Sequence, residues 1–351
     1  MICLLARWGC ETMRRARLRN LSSDAYEHPF DKNALDKLKK TPALPHATRR
    51  LYELTGDRML LVMSMANRIR VSPRQFRALH KLFIEAKDIL HVEEDVDLFV
   101  EQAYMLNAYT AGIERKQIVL TTEIIDRFTE EELLFVIGHE LGHVKSEHVL
   151  YQTIARFLPI LVEAIGRATL GVGQLLGLPF QLVLLDWMRK AELTADRAGL
   201  LVAQDVEVSI RALARLAGVP ERFLSEISME EIRSQAAEYE ALGKDDDLNR
   251  IYQVYGQAFH SHPWLAIRMK ELDVWAGEPY ERIMARYGVN GNQDGFSISP
   301  HVPRPRSGSQ FSPDSADVSG DTVCPSCGTH NTENALLCFG CGTPLFGTEG
   351  S

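Results

Sequence analysis

The sequence predicts an α+β protein that is predominantly helical, with one small sheet and a separate cysteine-bearing module at its C-terminal end. Three observations lead there. Apolar residues recur at helical spacing from Leu35 and Leu38 through Leu60, Leu61, Met63, Met65 and Ile69, and again beyond residue 130. Between 97 and 120 the pattern shortens: Leu98, Val100 and Tyr104, then Ile118, Val119 and Leu120, read as short strands broken at Gly112. From Gly288 to about Asp321, Gly, Ser, Pro, Asn and Asp replace apolar anchors, the composition of a flexible linker. The division that follows is an N-terminal tail over 1–30, a main domain over 31–287, a linker over 288–320 and a small module over 321–346.

Within the main domain each element has its own signal. Ser72-Pro73 marks a helix start, with Phe76, Leu79, Leu82 and Phe83 on one face. Thr129 with Glu132 forms a capping box opening a strong helix that carries Leu133, Leu134, Val136, Ile137 and Leu141 and is expected to reach about Leu150. Helices are expected again over 186–203, 207–217, 229–241, 246–258 and 263–287. Between them lies the most apolar region, 157–187. Its uncharged run, 168–185, is near the lower limit of about 17–18 residues for crossing a bilayer. Gly171, Gly173, Gly177 and Pro179 interrupt that run, and Arg156, Glu163 and Arg167 precede it, a pattern an isolated spanning helix tolerates poorly. A buried or partner-facing helical hairpin is therefore preferred, with peripheral membrane contact through 157–187 as the alternative.

Composition narrows the function classes. Of 351 residues, 45% are hydrophobic and 25% charged, as in ordinary globular proteins, and the net charge of −8 disfavours a general nucleic-acid binder. No cysteine stands between Cys10 and Cys324, so the main body is not a disulfide-stapled secreted fold. The apolar stretch Ile2–Ala6 is too short for a signal peptide, and Arg14, Arg15, Arg17 and Arg19 follow rather than precede it. A reducing, cytoplasmic setting is expected, with membrane association as its variant.

The chemistry is concentrated at His139-Glu140-Leu141-Gly142-His143, inside the strong helix. Positions four apart share a helix face, so both imidazoles aim at one metal ion. Glu140, one residue along, is placed to reach a water at that metal, whose pKa zinc lowers to about 7, and to act as its base. A catalytic zinc needs a third protein ligand and an open position. Glu192, in Ala191-Glu192-Leu193-Thr194-Ala195-Asp196-Arg197, supplies the ligand. Asp196, four residues on, is expected to accept a hydrogen bond from a ligand histidine, most plausibly His139, and fix its tautomer. Late in the domain His262-Pro263 and Arg268 offer cationic groups for the oxyanion: His262 as donor, with His260 as competitor, and Arg268 orienting it or bonding substrate. Asn107-Ala108-Tyr109 precedes the strand at Ile118–Leu120, and a sheet edge beside a zinc cleft binds extended peptide by strand addition. Glu147, on the His143 face, is read as surface charge in preference to a support behind the metal ligands.

These segments, taken together, resemble metallopeptidase family forty-eight, the group of the heat-shock protease HtpX and the CAAX prenyl endopeptidases. The resemblance rests on Asn107-Ala108-Tyr109, on His139 to His143 with Val144 and Lys145, on Glu192 to Arg197, and on Ser261-His262-Pro263 with Arg268 and Leu272. It covers about residues 50 to 287. It implies a gluzincin fold, zinc held by two histidines and one glutamate, Glu140 as base, and a part in clearing damaged or misfolded proteins. No spanning helix is read ahead of His139, so the chain looks more like the shorter soluble or peripheral members.

The terminal module stands apart from that family core. Cys324-Pro325-Ser326-Cys327 and Cys338-Phe339-Gly340-Cys341 are two knuckles whose four thiolates suit a closed structural zinc, giving two zinc ions per chain. Metal binding would supply the folding energy of so small a unit. Few basic residues surround it, so a protein partner is expected in preference to nucleic acid. The function read from the sequence is a zinc-dependent endopeptidase acting on extended or misfolded polypeptide. Two alternatives accompany it: a partner-binding adaptor or chaperone-like scaffold with a latent protease site, and a protease whose cleft residues 150–187 cover until displaced.

Overall fold

A computed structural model describes residues 15–40, 56–155, 172–245, 248–249, 253, 264–289, 321–323 and 330–332. The chain divides into two units, residues 1–295 and 296–351. The smaller is described only by an antiparallel strand pair, Asp321–Val323 with His330–Thr332. Its four cysteines lie outside the described residues.

The larger unit is helical around one four-stranded sheet. The strands are β2 (Ile69–Arg70), β3 (Val96–Glu101), β4 (Ala108–Ala111) and β5 (Lys116–Thr121), in spatial order β2-β3-β5-β4. The central pair β3 and β5 runs parallel, and both outer pairs run antiparallel. Ile118, Val119 and Leu120 are all buried, which explains why β5 reads as a continuous apolar run rather than an alternating one. β4 closes one side of the sheet. Its far edge meets no strand among the described residues.

The helices are α1 (Pro29–Lys39), α2 (Gly56–Asn67), α3 (Arg77–Leu90), α4 (Thr122–Arg127), α5 (Glu130–Lys145), α6 (Val172–Ala203), α7 (Val206–Leu216), α8 (Met229–Asp245), α9 (Leu265–Trp275) and α10 (Glu278–Tyr287). Their starts follow local chemistry. Thr129 and Glu132 make the reciprocal capping box of α5, and Glu132, fully buried, is neutralised by Arg211 and Arg215. The helix expected over 263–287 divides at Ala276–Gly277, because Pro279 has no N–H and opens a new helix instead of continuing the old one. The helix expected to reach Leu150 stops at Lys145. Glu147 adopts a left-handed conformation (φ 58°), and the N–H groups of Glu147 and His148 return to the carbonyls of Val144 and His143. That is a Schellman closure, after which helix resumes over 149–155.

Residues in the segment 17–26 join the core. The sequence places 1–30 in a tail, yet Leu18, Leu21 and Tyr26 are buried. A two-residue strand, β1 (Arg17–Leu18), pairs with β6 (Gly288–Val289). Helix α1 packs Ala34 and Leu38 against Leu184, Trp187 and Ala191 of α6. Among the described residues no helix is long and apolar enough to cross a membrane, and 156–171 lie outside them.

The site depends on how closely α5 approaches α6. A Cβ on Gly138 would stand 2.6 Å from Val202 Cβ, and one on Gly142 would stand 2.5 Å from Ala198 Cβ. Both are too short for real carbon contacts, so these helices touch backbone to side chain only because the glycines are there. Gly142→Leu is expected to force them apart, costing about 1–3 kcal/mol or more and carrying Glu192 away from the imidazoles. Metal content and unfolding temperature measure this; a variant keeping both at wild-type values would refute the close-packing account.

Candidate metal centre

Helix α5 is buried from Leu133 to Val144, and His139, Glu140 and His143 are buried with it. Helix α6 brings Glu192 to the same point. His139 Nε2 and His143 Nε2 are 3.2 Å apart. Glu192 Oε2 is 3.5 Å from the first, and Oε1 is 3.3 Å from the second. Donors sharing one tetrahedral ion at bond lengths of about 2.0–2.1 Å stand roughly 3.3–3.4 Å from each other. The three side chains therefore fit a single small cation, and they form the one such group of His, Cys, Asp or Glu among the described residues.

Each ring turns its other nitrogen to a partner, which leaves Nε2 for the metal. His139 Nδ1 lies 3.0 Å from Asp196 Oδ1. His143 Nδ1 lies 3.1 Å from Nδ1 of His148. Behind the carboxylates sits Arg268, whose side chain is completely buried. Its Nε and Nη2 donate to Asp196 at 2.7 Å each, and its Nη1 pairs with Glu192 Oε2 at 2.8 Å. Burial disfavours the charge on Glu192, but Arg268 and the imidazoles outweigh that and hold the carboxyl well below its usual range. Burial also disfavours a charged His139, yet Asp196 and Glu192 push its pKa up to about 9. Without a metal, then, the two carboxylates favour a proton on His139, while burial and the charge on His139 push the pKa of His143 down.

Glu140 points to the sheet. Thr110 of β4 donates from Oγ1 to Glu140 Oε2 at 2.6 Å. Ala108 and Thr110 are buried toward α5, while Tyr109 projects from the opposite face of the strand. There its hydroxyl donates to Glu101 at 2.7 Å and accepts from Arg68 at 2.6 Å. Asn107 donates its backbone N–H to Thr121 Oγ1 and accepts from the Thr121 N–H, anchoring the start of β4. The edge strand thus runs directly past the Glu140 carboxylate. Nearby, an open cleft of about 670 Å³ is lined by Leu106, Leu216, Ile232, Tyr239, Trp264 and Met269. Leu216 also borders a small gap touching His139, Glu140 and Arg268.

Of the residues singled out by sequence, the structure brings together His139, His143, Glu192, Glu140, Asp196 and Arg268, with Ala108 close by. His262 and its competitor His260 lie outside the described residues. Three residues of the site are given no role by the sequence: Thr110, His148 and Asp31. The last is buried on α1, accepts from Trp187 Nε1 at 3.0 Å and Thr194 Oγ1 at 2.6 Å, and lies 3.0 Å from His148 Nε2.

Two histidines one turn apart, a glutamate from the next long helix, and a second acid beside the first histidine define a metal-dependent hydrolase. Comparison with known proteins makes this more particular. Residues 73–276 match the model of Peptidase family M48, and the chain belongs to that family. It is a metalloprotease. It is 33% identical over 270 residues to plastoglobule-localized metallopeptidase 48, chloroplastic, of Arabidopsis thaliana, covering 76% of each chain. A Helicobacter pylori protease HtpX homolog is 23% identical over 242 residues, 62% of this chain and 72% of that one. An uncharacterized metalloprotease, YhfN of Bacillus subtilis, is 41% identical over 59 residues, 16% of this chain and 14% of its own. No solved structure matches.

Proposed function

We propose that this chain is a zinc-dependent endopeptidase that cuts extended segments of polypeptide, with His139, His143 and Glu192 as ligands and Glu140 as general base. The observation carrying the proposal is the convergence of three donor groups: His139 Nε2 and His143 Nε2 stand 3.2 Å apart, and the two oxygens of Glu192 lie 3.5 Å from the first and 3.3 Å from the second, with a separate buried carboxylate one residue from the first ligand. When bound, zinc polarises the scissile carbonyl and makes water acidic enough to ionise near pH 7 or so. The remaining work falls to side chains. Glu140 takes a proton from the attacking water and hands it to the departing amine. The hydroxyl of Thr110 holds that carboxylate in one orientation. The outer edge of β4, which meets no other strand among the described residues, offers main-chain N–H and C=O groups to an extended substrate alongside Asn107, Ala108 and Tyr109, which favours unfolded over folded targets. Apolar substrate side chains have the adjacent cleft to enter.

Arg268 acts through the two carboxylates it bridges, a positioning part that its burial favours over contact with the oxyanion. His262, on its sequence context, supplies the oxyanion donor. The spacing of Cys324, Cys327, Cys338 and Cys341 suits a second, structural zinc, and the few basic residues around them favour protein docking over nucleic acid. Cytoplasmic placement, with membrane association as its variant, and a part in removing misfolded proteins complete the reading.

Zinc analysis joined to proteolysis of an unstructured substrate such as reduced, carboxymethylated casein tests this. Two zinc equivalents per chain are expected, and one in Cys338→Ser. Chelation should abolish cleavage, and added zinc should restore it. Cleavage that survives complete removal of zinc would refute the proposal.

A further inference from the structure

His139 and His143 are supported differently. His139 hands its Nδ1 directly to a carboxylate, Asp196. His143 meets a third imidazole, and only beyond that a carboxylate on a different part of the chain. The order is His143 Nδ1, 3.1 Å to His148 Nδ1, then His148 Nε2, 3.0 Å to Asp31 Oδ2. His148 and Asp31 are each 1% exposed. Three features hold the arm still. The left-handed Glu147 turns the chain back so that His148 lies under His143. The ring of Trp187 packs edge-on to His148 with centroids 5.5 Å apart. Trp187 Nε1–H and Thr194 Oγ1–H then occupy Asp31, one on each oxygen.

Proton placement along this chain has one solution compatible with a metal on His143 Nε2. His143 then carries its proton on Nδ1 and needs an acceptor there. His148 then accepts at Nδ1 and places its own proton on Nε2, 3.0 Å from Asp31 Oδ2. With His148 reversed, two N–H groups would confront each other across 3.1 Å, or His143 would have to carry its proton on Nε2, where the metal belongs.

We propose that His148 and Asp31 are positioning residues of the metal site: they fix the Nδ1–H tautomer of His143 and thereby raise its affinity for zinc. This makes α1 part of the metal centre, although Asp31 lies outside the residues 73–276 matched by the family model. The inference rests on the zinc reading above.

The test uses the full chain and zinc itself, with affinity measured by competition against a chromophoric chelator. Loss of a hydrogen-bond partner behind a metal-bound histidine lowers affinity about 10–100-fold. His148→Leu removes the acceptor and is expected to fall in that range, as is Asp31→Asn, which keeps shape but loses the charge. His148→Asn returns an oxygen acceptor near the position of Nδ1 and should recover most of the affinity. Nitrogen-15 NMR of the zinc-loaded wild type should show His143 protonated at Nδ1, a signal weakened by exchange in His148→Leu. Zinc affinity within about twofold of wild type in a folded His148→Leu overturns the proposal. So does equal weakening by Leu and Asn, which would mean that ring packing on Trp187 is all that matters. If His148→Leu does not fold, Asp31→Asn decides by the same twofold criterion. A wild-type chain with no zinc at His139 and His143 would instead remove the zinc reading, a result distinct from variants that bind as wild type does.

Discussion

Glu140→Gln is expected to lower kcat for cleavage of an unstructured polypeptide about 10³-fold, within the 10²–10⁴-fold typical of a positioned general base, while zinc content and unfolding temperature stay unchanged. The substitution is isosteric and leaves the carbonyl oxygen of the side chain for Thr110 Oγ1, which donates to Glu140 Oε2 at 2.6 Å. It therefore keeps the shape of the side chain and removes its negative charge and, with it, the ability to take a proton. Glu140 is not in the triangle formed by His139, His143 and Glu192, so metal binding should not follow the loss of rate. KM should move little, because the proposed substrate contacts are the β4 edge and the adjoining cleft, not Glu140. Steady-state kinetics on a quenched fluorescent peptide, with zinc measured on the same samples, checks all three expectations. A variant with full zinc that cleaves within about threefold of wild type would show that another group accepts the proton.

Legibility in the sequence divided along a physical line. His139 and His143 are legible because helical geometry is local: a spacing of four residues fixes a common face before any tertiary contact exists. The same holds for the Glu192–Asp196 pair and for the Thr129–Glu132 capping box. The fold class follows from periodicities of the same kind, with the break at Gly112 falling between β4 and β5. What was hidden depends on pairings between distant elements. Asp31 and His148 are 117 positions apart, and Thr110 and Glu140 are 30 apart; no local pattern encodes either contact. The turn that aims His148 was hidden for another reason. A helix ending of this kind usually announces itself with glycine, and here the left-handed position is Glu147, at a cost of about 1–2 kcal/mol that the surrounding packing must offset. Arg268 did carry a signal. It sits between Ile267 and Met269, with Leu272 and Trp275 on the same helix, all buried. A charged residue embedded among core positions is more economically explained by buried acids than by a solvent-filled cleft.

That burial makes Arg268 the position whose loss should be felt most in stability. Arg268→Met is expected to destabilise the main domain by about 3–5 kcal/mol, the range for removing one partner of a buried ion pair, or about 6–20 °C in unfolding temperature for a domain of this size. Asp196 and Glu192 would remain, two buried carboxylates with the guanidinium that bridges them gone. Carboxylates in that position either stay charged at high cost or take up a proton, and a protonated Glu192 is a poor ligand. The loss should therefore be larger without zinc than with it, since a divalent cation between the imidazoles restores part of the missing positive charge. Arg268→Lys should fall between the two: an ammonium keeps the charge but lacks the planar fork that reaches Asp196 twice and Glu192 once. Urea unfolding of the three proteins, each with and without zinc, measures the order. If Arg268→Met proved as stable as wild type in the zinc-free state, Asp196 and Glu192 would have to be neutral in the native protein. The account of Arg268 as their counter-ion would then fail, while the triangle of ligands would stand.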